Sequence, residues 1–317
     1  MSARLKILCT VDLKLAPETR DLLQKIADLE CIAGTPAALT EHVGDCDAYF
    51  GNADVRLDAN AIAAARRLKV VATPSTGTDH IDKDALRKRG IALLSLTTEY
   101  ALLDTFTATA ECAWGLLIAC MRRIPAALDA VRRGDWARER FTGRQLSEKT
   151  LGVVGVGRLG KMVVEYGKAF RMRVLGCDPK PIRIAGVEQV GFDALLSRSD
   201  VISIHVHLTD STRGMFSREA FGKMKPGAVL INTSRGAIVD ETALLEGLES
   251  GRIAAAGLDV IHGEWMDDIT KHPLVRYAQS HDNLVITPHV GGATVESIAG
   301  ARTFMARKLV EYIQKNL

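Results

Sequence analysis

His289 follows a short apolar run and a proline, in Thr287-Pro288-His289-Val290-Gly291-Gly292. An imidazole gives and takes a proton near pH 7, and a carboxylate beside it fixes its tautomer and stabilises the imidazolium. Glu264, in the loop after Ala256-Gly257-Leu258-Asp259-Val260, is such a carboxylate. Arg235 closes another apolar run, in Asn232-Thr233-Ser234-Arg235-Gly236. A guanidinium pinned there by small residues matches a carboxylate with two parallel hydrogen bonds and can polarise an adjoining carbonyl. Taken singly, His289 reads as a structural histidine and Arg235 as half of an ion pair. Taken together, they suit reduction of a ketone next to a carboxylate, with His289 moving the proton to or from the oxygen.

Such chemistry needs a hydride carrier, and residues 151–178 supply a place for one. An apolar run from Leu151 to Val154 stops at Gly155; Gly157 and Gly160 complete a GxGxxG; a helical pattern and a second apolar run, Met172 to Gly176, lead to Asp178. Gly155 permits a tight turn, Gly157 lets backbone approach a pyrophosphate, and Gly160 lets the helix lie close to the sheet. The N–H groups at the helix start, around Arg158 and Leu159, face the phosphates. Asp178 accepts hydrogen bonds from the adenine-side ribose and repels a 2′-phosphate, which favours NAD over NADP; Lys180 and Arg183 soften that preference. A lone GxGxxG often marks only a turn, but the flanking strands and the spaced acid make a dinucleotide the expected ligand. Asp259 is placed toward the nicotinamide. His205, in Ser203-Ile204-His205-Val206-His207-Leu208-Thr209, either contacts the cofactor or caps its strand, and Thr209 and Thr212 help to close the loop beside it.

These residues need strands to carry them. Leu5–Val11, 48–51, 68–73 and 91–96 are strand-like, with helices from Pro17, at 58–67 and at 83–89. Further strands are expected at 201–205, 228–232, 254–259 and 284–287, and one amphipathic helix over 295–317. This alternation is an α/β chain with open parallel sheets. Two such units in series leave a crevice that the carboxyl ends of both sheets can face. The long helical candidate 104–122 is unusually apolar for an exposed position.

Composition narrows the classes. At 317 residues the chain suits two domains, and 41 basic against 38 acidic residues leave no basic block for nucleic acid. The N-terminal apolar run is too short for a signal peptide, and residues 101–120, the nearest approach to a membrane span, are broken by Asp104, Glu111 and threonines. The six cysteines form no CxxC pair and no metal-ligand spacing, which fits free thiols in a reducing cytosol and no metal. A cytoplasmic protein is expected.

The combination of VVGVGRLG at 153–160, the strand-end His205, MKPGAVLINTSRG at 224–236, AGLDV at 256–260 and TPHVGGAT at 287–294 resembles the NAD-dependent D-isomer-specific 2-hydroxyacid dehydrogenases, most of all their phosphoglycerate dehydrogenase-like branch. The likeness spans the chain. It implies a Rossmann-type NAD-binding domain, residues 102–290, inserted in a flavodoxin-like substrate domain, residues 1–101 and 291–317. It implies that Arg235 binds the carboxylate and carbonyl of a small 2-keto or 2-hydroxy acid, that Glu264 orients His289, and that His289 moves the proton. Ser75, Thr76 and Gly77 match the family's substrate loop, whose backbone N–H groups hold the carboxylate. The cofactor falls to Gly155, Gly157, Arg158, Leu159, Gly160, Asp178, His205, Thr212, Thr233, Ser234, Asp259 and Gly292, and the 104–122 helix to a homodimer interface. Departures are Trp265 after Glu264 where the family has proline, His207 before Leu208-Thr209, and the absence from Gly51-Asn52-Ala53-Asp54 of the arginine that phosphoglycerate enzymes often carry. Hydroxypyruvate or glyoxylate reduction, phosphoglycerate oxidation and an NAD-sensing corepressor role are the alternatives.

Overall fold

A computed structural model describes residues 4–266 and 268–317. The chain divides into two compact units, Met1–Phe106 with Ala293–Leu317, and Thr107–Gly292.

The first unit holds β1 (Lys6–Cys9), β2 (Asp28–Cys31), β3 (Ala48–Phe50), β4 (Val70–Ala72) and β5 (Ala92–Leu94), all parallel, in the order β2-β1-β3-β4-β5. That is the flavodoxin-like order. β3 and β4 are buried throughout, which is why they appear in the sequence as unbroken apolar runs. The helix Val295–Asn316 brings Met305, Ala306, Leu309 and Ile313 into one core with Ile7, Phe50 and Val70. Leu8, Tyr49 and Val71 point to the other face, against Ile62 and Leu86 of the helices Ala59–Ala64 and Lys83–Lys88.

The second unit holds β6 (Thr150–Val154), β7 (Arg173–Cys177), β8 (Val187–Gln189), β9 (Val201–Ile204), β10 (Ala228–Asn232), β11 (Ile253–Leu258) and β12 (Leu284–Ile286). All pair in parallel, in the order β12-β11-β10-β9-β6-β7-β8. The winding direction reverses between β6 and β9, the place where a doubly wound sheet opens a ligand crevice at its carboxyl end. Every residue of β9 and β10 is buried.

The two strands with no signal in the sequence are β2, Asp-Leu-Glu-Cys, and β8, Val-Glu-Gln. Both lie at sheet edges, where one flank meets solvent and an unbroken apolar run is not needed.

The expected 104–122 helix is corrected in two respects. The chain forms a short helix Tyr100–Leu103, breaks, and starts a new one at Ala108–Arg122. Tyr100–Arg122 is apolar enough by composition to cross a membrane. Yet the helix Ala108–Arg122 sends Ala110, Ala113, Trp114, Leu116, Leu117, Cys120 and Met121 into the core of the second unit, so its apolar side is not an exposed stripe. The exposed apolar residues come just after it. Arg123 turns the chain through the left-handed region (φ 52°), and Ile124, Leu128 and Val131 of the helix Ile124–Arg132 then face outward, followed by Trp136, 84% exposed.

Candidate active site

At the end of β6 the chain turns through Gly155 with φ 88°, in the left-handed region that glycine adopts without a steric penalty. A Cβ at Gly155 would stand 2.6 Å from the His205 carbonyl oxygen, and one at Gly160 2.0 Å from the Gly155 oxygen. A Cβ at Gly157 would meet nothing within 4 Å, so open space lies over the turn. Gly157 is the extended N-cap of the helix Arg158–Ala169 and supplies no side-chain cap to its first N–H groups. A phosphate fits such a helix start.

Asp178 follows β7. Its carboxylate accepts the Val156 N–H at 2.8 Å and the Lys180 N–H at 2.9 Å, one on each oxygen. This fixes the acid beside the glycine turn, and each oxygen keeps a lone pair for a hydroxyl.

At the end of β9, His205 Nε2 shares a 2.8 Å hydrogen bond with Ser203 Oγ. Burial pushes its imidazole down to about 4, so the ring is neutral. His205 Nδ1 and, at the end of β10, Thr233 Oγ1 are buried and have no hydrogen-bond partner among the described residues. Orphaned polar atoms are costly in a finished interior. Two of them at the carboxyl ends of adjacent strands suit a polar ligand laid across those ends, and the set fits a dinucleotide. The Thr212 hydroxyl is turned to its own loop, donating to the His207 oxygen at 2.7 Å and accepting the Thr209 N–H at 2.8 Å. Gly292 is exposed, with open space where a Cβ would be.

The loop after β10 is held tightly. Ser234 N–H donates to Asn232 Oδ1 at 2.9 Å, Asn232 Nδ2 donates to the Arg235 carbonyl at 2.9 Å, and Ser234 Oγ donates to the Ile204 carbonyl at 2.8 Å. Arg235 is half-buried, with Nη1 donating to the Ser234 oxygen at 2.7 Å.

His289 stands on a left-handed backbone turn, φ 53°. Its Nδ1 donates to Glu264 Oε1 at 2.8 Å, with the histidine side chain 40% exposed and the glutamate 15%. Its Nε2 engages no protein group among the described residues. The hydrogen bond to Glu264 raises the imidazole pKa, burial and the nearby Arg235 charge lower it, and the balance is upward.

The left-handed turn is unusual for a non-glycine residue and needs a brace. Asp259, 1% exposed, provides one. Its carboxylate accepts Thr287 Oγ1 at 2.6 Å, Val290 N–H at 2.8 Å and Gly291 N–H at 2.7 Å, and its carbonyl accepts the His289 N–H at 2.9 Å. The structure therefore places the Asp259 side chain under His289.

Two further side chains bear on this region without any motif to announce them. Glu241 Oε1 accepts the His262 N–H at 2.6 Å, and His272 Nε2 donates to the His262 carbonyl at 2.9 Å. In the sequence Glu241 is merely an acid in a first helical turn, and His272 an N-cap before Pro273.

In the first unit, the loop after β4 is closed on itself. Ser75 Oγ donates to the Gly77 carbonyl at 2.7 Å, and Thr97 Oγ1 donates to the Thr76 carbonyl at 2.9 Å. Among the described residues the backbone N–H groups of Ser75, Thr76 and Gly77 have no acceptor, so they can receive a carboxylate.

Comparison with known proteins gives a consistent result. Residues 114–291 match the family model for the D-isomer specific 2-hydroxyacid dehydrogenase, NAD binding domain. The chain is 37% identical over 280 residues to hydroxypyruvate reductase of Thermotoga maritima, covering 88% of this chain and 87% of that one. It is 36% identical over 302 residues to D-3-phosphoglycerate dehydrogenase of Methanocaldococcus jannaschii, covering 93% of this chain and 55% of that enzyme. The chain thus spans about half the length of the phosphoglycerate dehydrogenases it matches. D-lactate dehydrogenase of Aquifex aeolicus, solved with NAD and lactic acid, superposes with a TM-score of 0.86 at 28% identity, covering 98% of this chain and 95% of that one.

Proposed function

Since the chain belongs to the D-isomer specific 2-hydroxyacid dehydrogenases, with residues 114–291 as their NAD-binding domain, we propose that it interconverts a 2-keto acid and a D-2-hydroxy acid. The observation that carries this reading is the His289–Glu264 pair at 2.8 Å, on the same sheet end as Arg235. Bound NADH supplies the hydride for the carbonyl carbon. Arg235 receives the substrate carboxylate and stabilises the negative charge that grows on the carbonyl oxygen. Protonated His289 gives its Nε2 proton to that oxygen, while Glu264 holds Nδ1–H and supports the positive ring. In the oxidising direction neutral His289 takes the hydroxyl proton at the same nitrogen.

The cofactor falls to Gly155, Gly157, Arg158, Leu159, Gly160, Asp178, His205, Thr212, Thr233, Ser234 and Gly292, with Asp259 acting through the turn it braces. Ser75, Thr76 and Gly77 offer backbone N–H groups to the substrate. We expect higher efficiency with NADH than with NADPH, and a smaller gap in Asp178→Ala, because that carboxylate would repel a 2′-phosphate. Equal efficiencies in the unmodified protein would reject this role for Asp178.

The substrate side favours a short, unphosphorylated acid. In the segment where phosphoglycerate enzymes often carry an arginine, Asn52 Nδ2 instead donates to Asp54 Oδ2 at 2.8 Å, and the acid weakens the site for a phosphate. Trp265, 45% exposed beside Glu264, adds an aromatic surface. The deciding experiment follows loss of NADH absorbance with glyoxylate, hydroxypyruvate and phosphohydroxypyruvate. Turnover of either unphosphorylated acid above phosphohydroxypyruvate is expected. NADH binding with no turnover on any 2-keto acid would replace this reading with an NAD-sensing binding protein.

A homodimer is part of the same proposal, formed through the outward-facing Ile124, Leu128, Val131 and Trp136, since an exposed apolar patch is a liability in a monomer. Light scattering at micromolar protein should give twice the mass of the chain. A mass equal to one chain would reject the dimer.

A further inference from the structure

Glu241 and His272 are titratable groups that the proton transfer itself does not use. His272 is 5% exposed, and the Glu241 side chain 19%. The Leu274 N–H donates to His272 Nδ1 at 3.3 Å, so Nδ1 carries no proton and the hydrogen is on Nε2. From there it donates to the His262 carbonyl at 2.9 Å, and it stands 3.4 Å from Glu241 Oε2. Glu241 Oε1 takes the N–H of the same residue, His262, at 2.6 Å. Both backbone polar groups of His262 are therefore gripped, one by each side chain, two positions before Glu264. The same backbone is pressed from a third side, since a Cβ on Gly236 would lie 2.1 Å from the Ile261 carbonyl carbon and 2.2 Å from the His262 nitrogen. Gly236 adjoins Arg235. One short piece of backbone thus sets the position of the loop that carries Glu264 against the loop that carries Arg235.

We propose that Glu241 and His272 are positioning residues, clamping His262 so that Glu264 meets His289 Nδ1. The inference rests on the reading of His289 and Glu264 as the proton-moving pair. Loop residues have no strand ladder to hold them, and an error of about 1 Å at a reacting group costs on the order of 100-fold in rate. The charged and titratable groups around the two ends of the device are His262, His272 and Asp240 at Glu241, and Glu264, Arg235 and Asp259 at His289.

The test is Glu241→Ala beside Glu241→Gln, whose amide oxygen can still accept the His262 N–H. Glu241→Ala should lower kcat for 2-keto acid reduction about 10- to 100-fold, leave the Kd for NADH unchanged, and move the His289 titration down toward an ordinary histidine. That titration is read by NMR without substrate and assigned by its loss in His289→Ala. Glu241→Gln should restore most of both. If the alanine variant does not fold, Glu241→Asp replaces it, since its shorter acid cannot reach His262 and His272 together. A wild-type kcat and a wild-type His289 titration in the folded variant would overturn the proposal. Absence of 2-keto acid turnover in the unmodified protein would instead remove the functional reading, while the titration would still report whether Glu241 governs the Glu264–His289 contact.

Discussion

Replacing His289 with alanine should lower turnover on the best 2-keto acid about 10²–10⁴-fold, the usual worth of a positioned general acid, with the Kd for NADH unchanged. The ring lies at the carboxyl end of β12, apart from the glycine turn after β6 that would hold the pyrophosphate. Glu264→Gln should keep a hydrogen-bond partner for Nδ1 and lose the charge. The imidazole pKa, raised by Glu264 in the intact protein, should then fall. Reduction needs the protonated ring, so its alkaline limit should move to lower pH. Oxidation needs the neutral ring, so its acid limit should move the same way. The pH profiles of the three proteins in both directions, with NADH binding measured separately, decide the matter. Near-normal turnover in His289→Ala would defeat the assignment.

Arg235→Lys should lower kcat/KM for the 2-keto acid about 10- to 100-fold, corresponding to one lost charge-assisted hydrogen bond of about 1.5–3 kcal/mol. Lysine keeps the charge and gives up the planar fork that meets both carboxylate oxygens. The backbone that carries residue 235 is fixed by Asn232 and Ser234, so the shorter reach of an ammonium is not made good by movement of the loop. Unchanged kinetics, with intact NADH affinity, would remove Arg235 from the substrate.

Much of the scaffold was legible because its inner strands are buried on both faces. β9 and β10 contain no position that water must reach, and they stand out as apolar runs ending in Ser-Ile-His and Asn-Thr-Ser-Arg. The residues just past such runs fall at the carboxyl edge of a parallel sheet, which is why Arg235, Glu264 and His289 could be picked out by position and chemistry together. Three things were not legible. β2 and β8 lie at edges and carry no periodic signal. The left-handed turn at His289 is written in Asp259, whose three accepted hydrogen bonds replace the glycine that such a turn ordinarily takes. The grip of Glu241 and His272 on His262 joins residues 21 and 10 positions away, a contact that tertiary structure creates and local pattern does not record.

The helix Val295–Asn316 has a consequence for how the chain is made. It supplies Met305, Leu309 and Ile313 to a core whose other half is Ile7, Phe50 and Val70. The ribosome delivers that other half first and the helix last, with the whole of Thr107–Gly292 between them. At about 5–20 residues per second the early strands wait roughly 10–40 s for that helix, with this face of the sheet covered only in part, by Leu23 of the helix Pro17–Gln24 and by Leu103. Thr107–Gly292 is contiguous and can fold during that interval. During synthesis the molecule can therefore carry a finished unit and an incomplete one, the latter closing its core only when Met305, Leu309 and Ile313 arrive.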